Sequence, residues 1–517
     1  MVRAWLKQNG NELGLLLTAA VACAISGTTG VYLVDTGINF NFGWLLYNGY
    51  RPFTDIASPL MPLCGLLTEL GYRLYGVNYL SSVIVSTLLC AAGILVIADN
   101  LKTVFDRWVA NAIAVLLILG SLAEIGVLYY NHLALLFEAI ILTYTVRKVW
   151  GPERRPAGEK FDRSAISAWL CVALLSLTKL HLGILLGAFC VAVELATTGG
   201  DWRKTGKYAL FALAVFSAFL LALGISPAAI LDAMSIPERP ALGPTLARYL
   251  QEAFSGPRRT FSEFVIAKGV FISSFLLFAL SPVKSPTRRR ANLKITAWFF
   301  GIVGLDWLHD ATSPDIAFKN FYFIVMALAA LALLYFIERS QLKTRKPSLT
   351  LRLLGRGYLL SMLLFQTQYS LGGYRKAWSM EKEGWLDRPL KHNLRVERGF
   401  FRGILIKDED FRLASFVQEL SDKRPGPMWF GMELEMFYPA TGRLPPRPWP
   451  LWFHPGTSVR RADFGKWRQA FLDAKFETVV LSKLRMEHQT YIREVLEQNY
   501  KKVEIPKGLP ILVFERR

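Results

Sequence analysis

The feature that most constrains this chain is a series of long apolar segments spread over residues 1–371. A helix needs about 20 consecutive apolar residues to cross the hydrocarbon core of a bilayer, and many windows in this region reach that length. Residues 372–517 instead have the mixed composition of an ordinary globular domain. The sequence therefore predicts two units, a transmembrane domain at 1–371 and a small soluble α/β domain at 372–517.

The apolar segments predict an α-helical polytopic membrane protein with about eleven transmembrane helices. The stretch at 166–195 is too long for one crossing and has Lys179 and His181 near its middle, so it predicts two helices joined by a tight turn. The first segment is longer than the apolar core of a signal peptide, which favours an uncleaved helix over the alternative of a cleaved leader. The predicted helices are 13–34, 79–98, 108–128, 131–147, 164–179, 181–196, 207–224, 264–281, 294–308, 318–337 and 356–371.

The distribution of basic residues predicts the orientation. With the N-terminus in the cytoplasm, the inside segments hold 24 Lys and Arg residues, and the outside loops, leaving out 372–517, hold 8. Such a bias is what the positive-inside rule describes. An odd number of crossings then places the C-terminal domain outside the cytoplasm. The net charge of +20 is explained in this way and does not indicate nucleic-acid binding.

Two outside loops are long enough to be functional. The first, 35–78, contains several prolines and then an apolar stretch at 63–77 that is too short to span comfortably, which predicts an interfacial or re-entrant segment. The second, 226–263, contains five prolines. In the C-terminal unit, helical patterns at 409–420, 464–474 and 487–499 alternate with strand patterns at 428–431, 478–481, 502–505 and 511–515.

Polar residues at membrane depth are costly, so by default they suggest function. In the predicted topology several of them meet at the outer membrane boundary. They lie at the end of helix one, between helices three and four, between helices five and six, and at the end of helix nine: Asp35; Asn131 and His132; Lys179 and His181; Asp306, His309 and Asp310. The hypothesis of a site rests on this shared face, since no single member is decisive.

Asp35 and Lys179 are the strongest candidates. A carboxylate beside an apolar helix end can have a raised pKa suited to a general base; the alternative is a helix-end residue solvated by lipid headgroups. An ammonium can hold a phosphate as a point charge. The alternative for Lys179 is a lysine whose side chain extends along apolar surface to the headgroups.

The remaining candidates have simpler alternatives. Asp306, His309 and Asp310 share one helical face, so they suit a divalent ion, although a polar helix end explains them as well. Asp55 is a possible substrate-site residue, or it shapes the turn that follows Pro52. The five cysteines lie in or beside apolar segments without a CxxC pair, so they indicate neither a disulfide framework nor a zinc site.

Several short motifs together resemble a known family. They are V-D-T-G at 34–37, N-G-Y-R-P-F-T-D at 48–55, S-P-L-M-P-L at 58–63, L-T-K at 177–179, Y-P-A-T-G-R at 438–443 and I-L-V-F-E-R at 511–516. The pattern resembles the GT-C-type integral-membrane glycosyltransferases, in particular the bacterial branch related to protein O-mannosyltransferases and the lipid A aminoarabinose transferase.

The resemblance implies an inverting glycosyltransferase at the outer face of the bacterial inner membrane. It would move a sugar from a polyprenyl-phosphate donor to a cell-envelope acceptor, which is a lipid, a glycan or a protein. Asp35 would be the base, and Lys179 with His181 would contact the donor phosphate. No cofactor is required in principle, because protein cations can balance the leaving group's charge, and a divalent metal stays possible.

The chain departs from the family pattern at three positions that bear on metal use and sugar identity. Thr36 stands where many relatives have a second acidic residue, Leu60 where many have lysine, and Asn131 where some have an acidic residue. A membrane transporter or lipid flippase is the main alternative function, although no paired repeats with broken mid-membrane helices are found. A structural assembly protein without catalysis is a third possibility.

Overall fold

The computed structural model describes most of the N-terminal half of the chain and most of the C-terminal domain. The described residues are 2–31, 35–120, 126–151, 162–198, 200–237, 394–483 and 490–517, with short pieces at 295, 298, 301–302, 305, 374–375 and 381–382. The predicted boundary between the two domains at 371–372 lies outside these residues.

Each of the seven transmembrane segments predicted between 13 and 224 corresponds to a helix. They are α1 (Val2–Thr28), α4 (Tyr79–Lys102), α5 (Arg107–Gly120), α6 (Tyr130–Trp150), α7 (Arg163–Ser176), α8 (Leu180–Thr198) and α9 (Trp202–Ala222). Within the described residues, four helices are long and apolar enough to cross a membrane: α1, from Gly10 onward, α4, α8 and α9. This is fewer than the eleven predicted; the segments at 264–281, 318–337 and 356–371 lie outside the described residues, and 294–308 is described at five positions, all helical.

Local capping and close helix contacts explain where these helices begin and how they pack. Asn78 caps α4 by accepting a hydrogen bond from the Ser81 N–H at 3.0 Å, which satisfies one of the unpaired amides of the first turn. Gly27, near the end of α1, lies so close to Gly126 that an added Cβ would overlap the Gly126 carbonyl oxygen. Ser86 on α4 donates to the same carbonyl at 3.0 Å. Small residues thus let three backbone segments meet at one end of the bundle.

Residues 35–78 contain two helices, α2 (Asp35–Tyr47) and α3 (Leu63–Tyr75), where the sequence predicted a loop with one short apolar segment. The prediction that Asp35 ends the first helix is wrong. The first helix stops at Thr28, Gly30 takes a φ of 82°, and the Gly30 N–H donates to the Leu405 carbonyl at 2.8 Å. Because a left-handed backbone ends a helix, Asp35 is free to begin the next one.

The C-terminal domain is a small α/β unit, as the sequence predicted. A four-stranded sheet has the order β6 (Met428–Phe430), β8 (Thr478–Ser482), β10 (Ile511–Arg516) and β9 (Tyr500–Val503), with β6 and β8 parallel and the other pairs antiparallel. Four helices accompany it: α11 (Asp408–Lys423), α12 (Phe437–Thr441), α13 (Phe464–Asp473) and α14 (Thr490–Asn499). Outside this sheet lie three two-stranded pairs: β1 (Ile56–Ala57) with β7 (Trp449–Pro450), β2 (Tyr374–Arg375) with β3 (Glu381–Lys382), and β4 (Leu394–Arg395) with β5 (Leu405–Ile406).

The domain contacts the end of the bundle that carries α2 and α3, which we call the domain-side end. Tyr79 at the start of α4 donates from its backbone N–H to the Phe400 carbonyl at 2.8 Å. One apolar cluster joins Phe40 of α2 and Tyr72 of α3 to the core of the domain. In the second predicted loop, α10 (Pro227–Ser235) also contacts the domain, because Asp232 pairs with Arg460 at 2.6 Å. The first loop, the second loop and the C-terminal domain therefore share one end of the helices.

Candidate functional site

The predicted tight turn between α7 and α8 places Lys179 inside the protein at the domain-side end. Its backbone N–H donates to the Leu175 carbonyl at 2.7 Å, and its own carbonyl accepts from Leu182 at 3.1 Å, so the turn continues directly from one helix to the next. The Lys179 residue is 6% exposed, and its Nζ lies 5.4 Å from the centroid of the Tyr130 ring. A buried ammonium over an aromatic face provides a cation that can attract an anionic group.

The start of α6 forms a polar and aromatic wall beside this lysine. Asn131 and His132 are both buried. The Asn131 side chain donates to the Tyr129 hydroxyl at 2.5 Å, and the His132 ring stands perpendicular to the Tyr129 ring at 5.0 Å. Through Tyr130, the structure brings the predicted residues of α6 and of the α7–α8 turn together. The two tyrosines were missed in the sequence because aromatic residues at a membrane boundary are common anchors.

The first loop reaches the same place through the start of α3. The Leu63 N–H donates to the Leu177 carbonyl at 3.0 Å, two residues before Lys179. Leu63, Leu177 and Leu182 also belong to one buried apolar cluster. The proline-rich end of the first loop is thereby attached to the turn that carries the lysine. His181 is half-buried on the first turn of α8.

The start of α2, whose first residue is Asp35, contacts the C-terminal domain at Gly37. A Cβ built on Gly37 would be 3.3 Å from the Met436 backbone nitrogen, so the first turn of α2 and the segment before α12 are in contact. Two carboxylate residues of that segment, Glu433 and Glu435, are 7% and 3% exposed, and Glu433 has a left-handed φ of 71°. They were not predicted from the sequence, in which the available signal was a pair of acidic residues among apolar ones just after a predicted strand.

Asp55 occupies a structural position in the first loop. Its carboxylate accepts from the Arg51 N–H at 2.9 Å, its own N–H donates to the Arg51 carbonyl at 3.0 Å, and its carbonyl accepts from the Trp449 N–H at 3.0 Å. Arg447 of the domain lies 3.9 Å from the same carboxylate. These contacts favour the interpretation that Asp55 shapes the turn.

The predicted group at the end of helix nine, Asp306, His309 and Asp310, lies outside the described residues, so its place relative to Lys179 is still a prediction. Among the residues that are described, no group of three or more His, Cys, Asp or Glu side chains is arranged to hold a metal ion.

A second set of buried polar residues holds α6, α7 and α8 together at the opposite end. The fully buried Glu194 of α8 accepts a hydrogen bond from the Tyr144 hydroxyl of α6, and Lys148 lies 3.4 Å from the same carboxylate. Lys148 also pairs with Asp162, the N-cap of α7, at 3.3 Å. Burial alone would raise the pKa of Asp162, but the charges of Lys148 and Arg147 outweigh burial and hold the pKa below its usual value.

Together with the Lys179–Tyr130 contact, this network connects α6 and α8 near both of their ends. The axial position of α8, and hence of the lysine that precedes it, is fixed relative to α6 by polar contacts at each end. Buried polar groups of this kind specify one arrangement of the helices, because any slip leaves charges unpaired in an apolar surrounding.

Comparison with known proteins supports the fold. No protein-family model matches the sequence, and no curated protein matches it. Among solved structures, ArnT from Cupriavidus metallidurans in the apo state aligns with a TM-score of 0.51 and 15% identity over 98% of this chain and 98% of that chain. The same protein bound to undecaprenyl phosphate gives 0.46 and 13% over 98% of each chain. The oligosaccharyltransferase AglB from Archaeoglobus fulgidus, in complex with an inhibitory peptide and a dolichol-phosphate, gives 0.45 and 11% over 99% of this chain and 74% of that chain.

ArnT is a lipid A aminoarabinose transferase, so this neighbour belongs to the group whose motifs the sequence resembles. The alignment extends over nearly the whole of both chains. The chain therefore has the fold of a GT-C-type integral-membrane glycosyltransferase.

Proposed function

We propose that the protein is an inverting glycosyltransferase that takes a sugar from a polyprenyl-phosphate donor and delivers it to a cell-envelope acceptor. The observation that carries the proposal is the buried Lys179 at the domain-side end, held over Tyr130 and next to the end of the first loop. An ammonium at this end of the bundle could bind the anionic phosphate of a membrane-embedded donor as a point charge. The GT-C-type fold supports the same chemistry.

In the proposed reaction an acceptor hydroxyl attacks the anomeric carbon of the sugar from the face opposite the phosphate. The new carbon–oxygen bond forms as the bond between the anomeric carbon and the phosphate oxygen breaks, so the configuration inverts. The hydroxyl proton passes to the carboxylate of Asp35, and the electron pair leaves with the polyprenyl phosphate. Lys179, with His181, would stabilise the charge on the leaving phosphate.

The remaining residues of the site would bind and orient the substrates. Asn131 and His132, at the start of α6, provide an amide and an imidazole that can hydrogen-bond to sugar hydroxyls. In this scheme the domain-side end faces the periplasm and the N-terminus is cytoplasmic, as the charge distribution predicts. The donor would then enter sideways from the outer leaflet of the inner membrane.

The proposal is tested by comparing cells with and without the gene. Mass spectrometry of envelope glycolipids and glycans should reveal one sugar modification that disappears with the gene and returns with the wild-type copy. The Asp35→Asn copy should not restore it, although the protein should accumulate normally. Restoration by Asp35→Asn, or an unchanged glycolipid and glycan profile together with transport of a lipid carrier, would overturn the proposal.

A further inference from the structure

A segment of the C-terminal domain runs along the first loop, and we call this segment, residues 443–451, the strap. Its two strand residues pair in parallel with the loop, with Ile56 opposite Trp449 and Ala57 opposite Pro450. The Leu451 N–H donates to the Ala57 carbonyl at 2.9 Å, in register with this pairing. The loop therefore gains a strand partner from the far end of the chain.

Side chains extend the contact from the paired strands back to α2. The Trp44 indole donates to the Arg443 carbonyl at 2.7 Å, and the Asn41 amide donates to the Leu451 carbonyl at 3.1 Å. The Tyr50 hydroxyl donates to the carbonyl of Pro445 in the strap. Both arms of the loop are thus bound by the same short piece of the domain.

Arg447 lies at the centre of the strap and makes four contacts with the tip of the loop. Its guanidinium carbon is 3.7 Å from the centroid of the Tyr50 ring. Its Nη2 donates to the Asn48 carbonyl at 2.9 Å, and its Nη1 donates to the Gly49 carbonyl at 3.4 Å. The Asp55 carboxylate is 3.9 Å away. A planar group that stacks and donates from two nitrogens at once requires arginine, because lysine has neither the plane nor the fork.

The first loop, which Arg447 contacts, connects the two parts of the proposed site: the helix that begins at Asp35 and the helix that contacts the Lys179 turn. On one side it continues into α3, whose first N–H donates to Leu177 beside Lys179. On the other side it is continuous with α2, whose first residue is Asp35. The two helices are packed face to face, since the Tyr72 hydroxyl of α3 donates to the Phe40 carbonyl of α2 at 3.2 Å. A shift of the loop tip is therefore transmitted to both helices.

We infer that Arg447 is a positioning residue that holds the first loop so that the start of α2 and the lysine turn keep their spacing. The inference rests on the proposed function, because the spacing matters only if Asp35 and Lys179 act on one donor. Lys179 also has contacts with α6, α7 and α8 that do not involve the strap, so donor binding should survive when the strap is loosened. The rate of transfer should fall, because a misplacement of about 1 Å can cost about 100-fold in rate.

The test compares Arg447→Ala and Arg447→Lys with the wild-type protein. Arg468→Ala is the matched control, because Arg468 is a partly exposed arginine of the same domain that pairs with Glu494 at 2.9 Å. Two quantities are measured: the Kd of the purified protein for a synthetic polyprenyl phosphate, and the rate at which membranes release polyprenyl phosphate from labelled polyprenyl-phosphate sugars. For Arg447→Ala we expect a rate at least about tenfold lower with a Kd within about twofold. The lysine variant should recover only part of the rate, and the control should match the wild type.

Three results would overturn the inference. They are a wild-type rate in Arg447→Ala, a loss of donor binding in proportion to the loss of rate, and a lysine variant as fast as wild type.

If Arg447→Ala fails to accumulate, Tyr50→Phe serves instead, since it removes only the hydrogen bond from the Tyr50 hydroxyl to the strap. It should lower the rate several-fold at unchanged Kd, and an unchanged rate would be equally decisive against the inference.

The Asp35→Asn variant, measured in parallel, distinguishes failure of the inference about Arg447 from failure of the proposed function. An active Asp35→Asn variant would rule out the proposed function itself.

Discussion

The replacement of Lys179 by alanine gives the most direct measure of how the site holds an anion. The lysine is 6% exposed and faces the Tyr130 ring at 5.4 Å, so water competes little for its charge. A hydrogen bond to a charged group contributes about 1.5–3 kcal/mol. Because about 1.36 kcal/mol corresponds to a factor of ten, the alanine variant should bind polyprenyl phosphate about 10–150-fold more weakly.

The assay is a titration of the purified protein in detergent with a synthetic polyprenyl phosphate. Lys179→Arg should retain part of the affinity, because it keeps the charge but not the compact shape. Arg73→Ala is the matched control: Arg73 is an exposed cation on α3 that pairs with Glu69 at 2.7 Å. Its loss should leave the Kd within about twofold, since an exposed ion pair contributes little.

Raising the salt concentration distinguishes a buried Lys179 that contacts the donor phosphate from a Lys179 that contacts lipid headgroups. At 0.15 M salt the screening length is about 8 Å, so exposed charges lose much of their attraction while buried ones do not. The affinity that depends on Lys179 should therefore persist as salt is raised. An alanine variant with unchanged Kd, or an effect that disappears in high salt, would refute the assignment and favour a lysine that contacts headgroups.

Three further predictions follow from the site and the bundle. Asp35→Asn should bind donor normally but transfer sugar about 10²–10⁴-fold more slowly; transfer near the normal rate would exclude it as base. Gly27→Ala should lower stability in detergent by about 1–3 kcal/mol, because its Cβ overlaps the Gly126 carbonyl. Gly14→Ala should not lower stability, because there is open space around Gly14. Equal melting temperatures for the two variants would contradict the packing described for Gly27. The lowered pKa of Asp162 means that its ionised carboxylate stabilises the folded state fully above about pH 4, and that this stabilisation is lost as the pH falls through the pKa of Asp162 in the folded protein. Asp162→Asn should therefore weaken the dependence of stability on acid pH.

The seven helices between residues 13 and 224 were predictable because apolar runs of spanning length have few alternatives. The turn at Lys179 was predictable for the same reason, since a charged residue near the middle of a 30-residue apolar stretch indicates a reversal. The helix α2 was not predictable in this way. Its apolar residues Ile38, Phe40 and Phe42 alternate with Asn39 and Asn41, a pattern typical of a strand. All five are buried, so tertiary packing on both sides of the helix overrides the local preference.

The parts of the site that the sequence did not reveal depend on partners far away in the chain. Arg447 has no local pattern that indicates a role, and it contacts the first loop only because the domain lies against that loop. Asp55 shows the converse. Its family motif suggested chemistry, while its contacts with Arg51 and Trp449 are those of a residue that fixes a turn. Local sequence identifies chemistry at membrane depth better than it identifies contacts between domains.

The pairing of the first loop with the strap also sets an order for biogenesis. The Tyr50 hydroxyl and its partner Pro445 are 395 residues apart in sequence, so the loop leaves the ribosome long before the strap exists. Chain growth at about 5–20 residues per second makes that interval about 20–80 s. Throughout it, β1 has no strand partner and the apolar face that later covers Leu451 and Trp452 is open. Until the strap has been made and has paired with the first loop, that loop has neither its strand partner nor the cover of its apolar face.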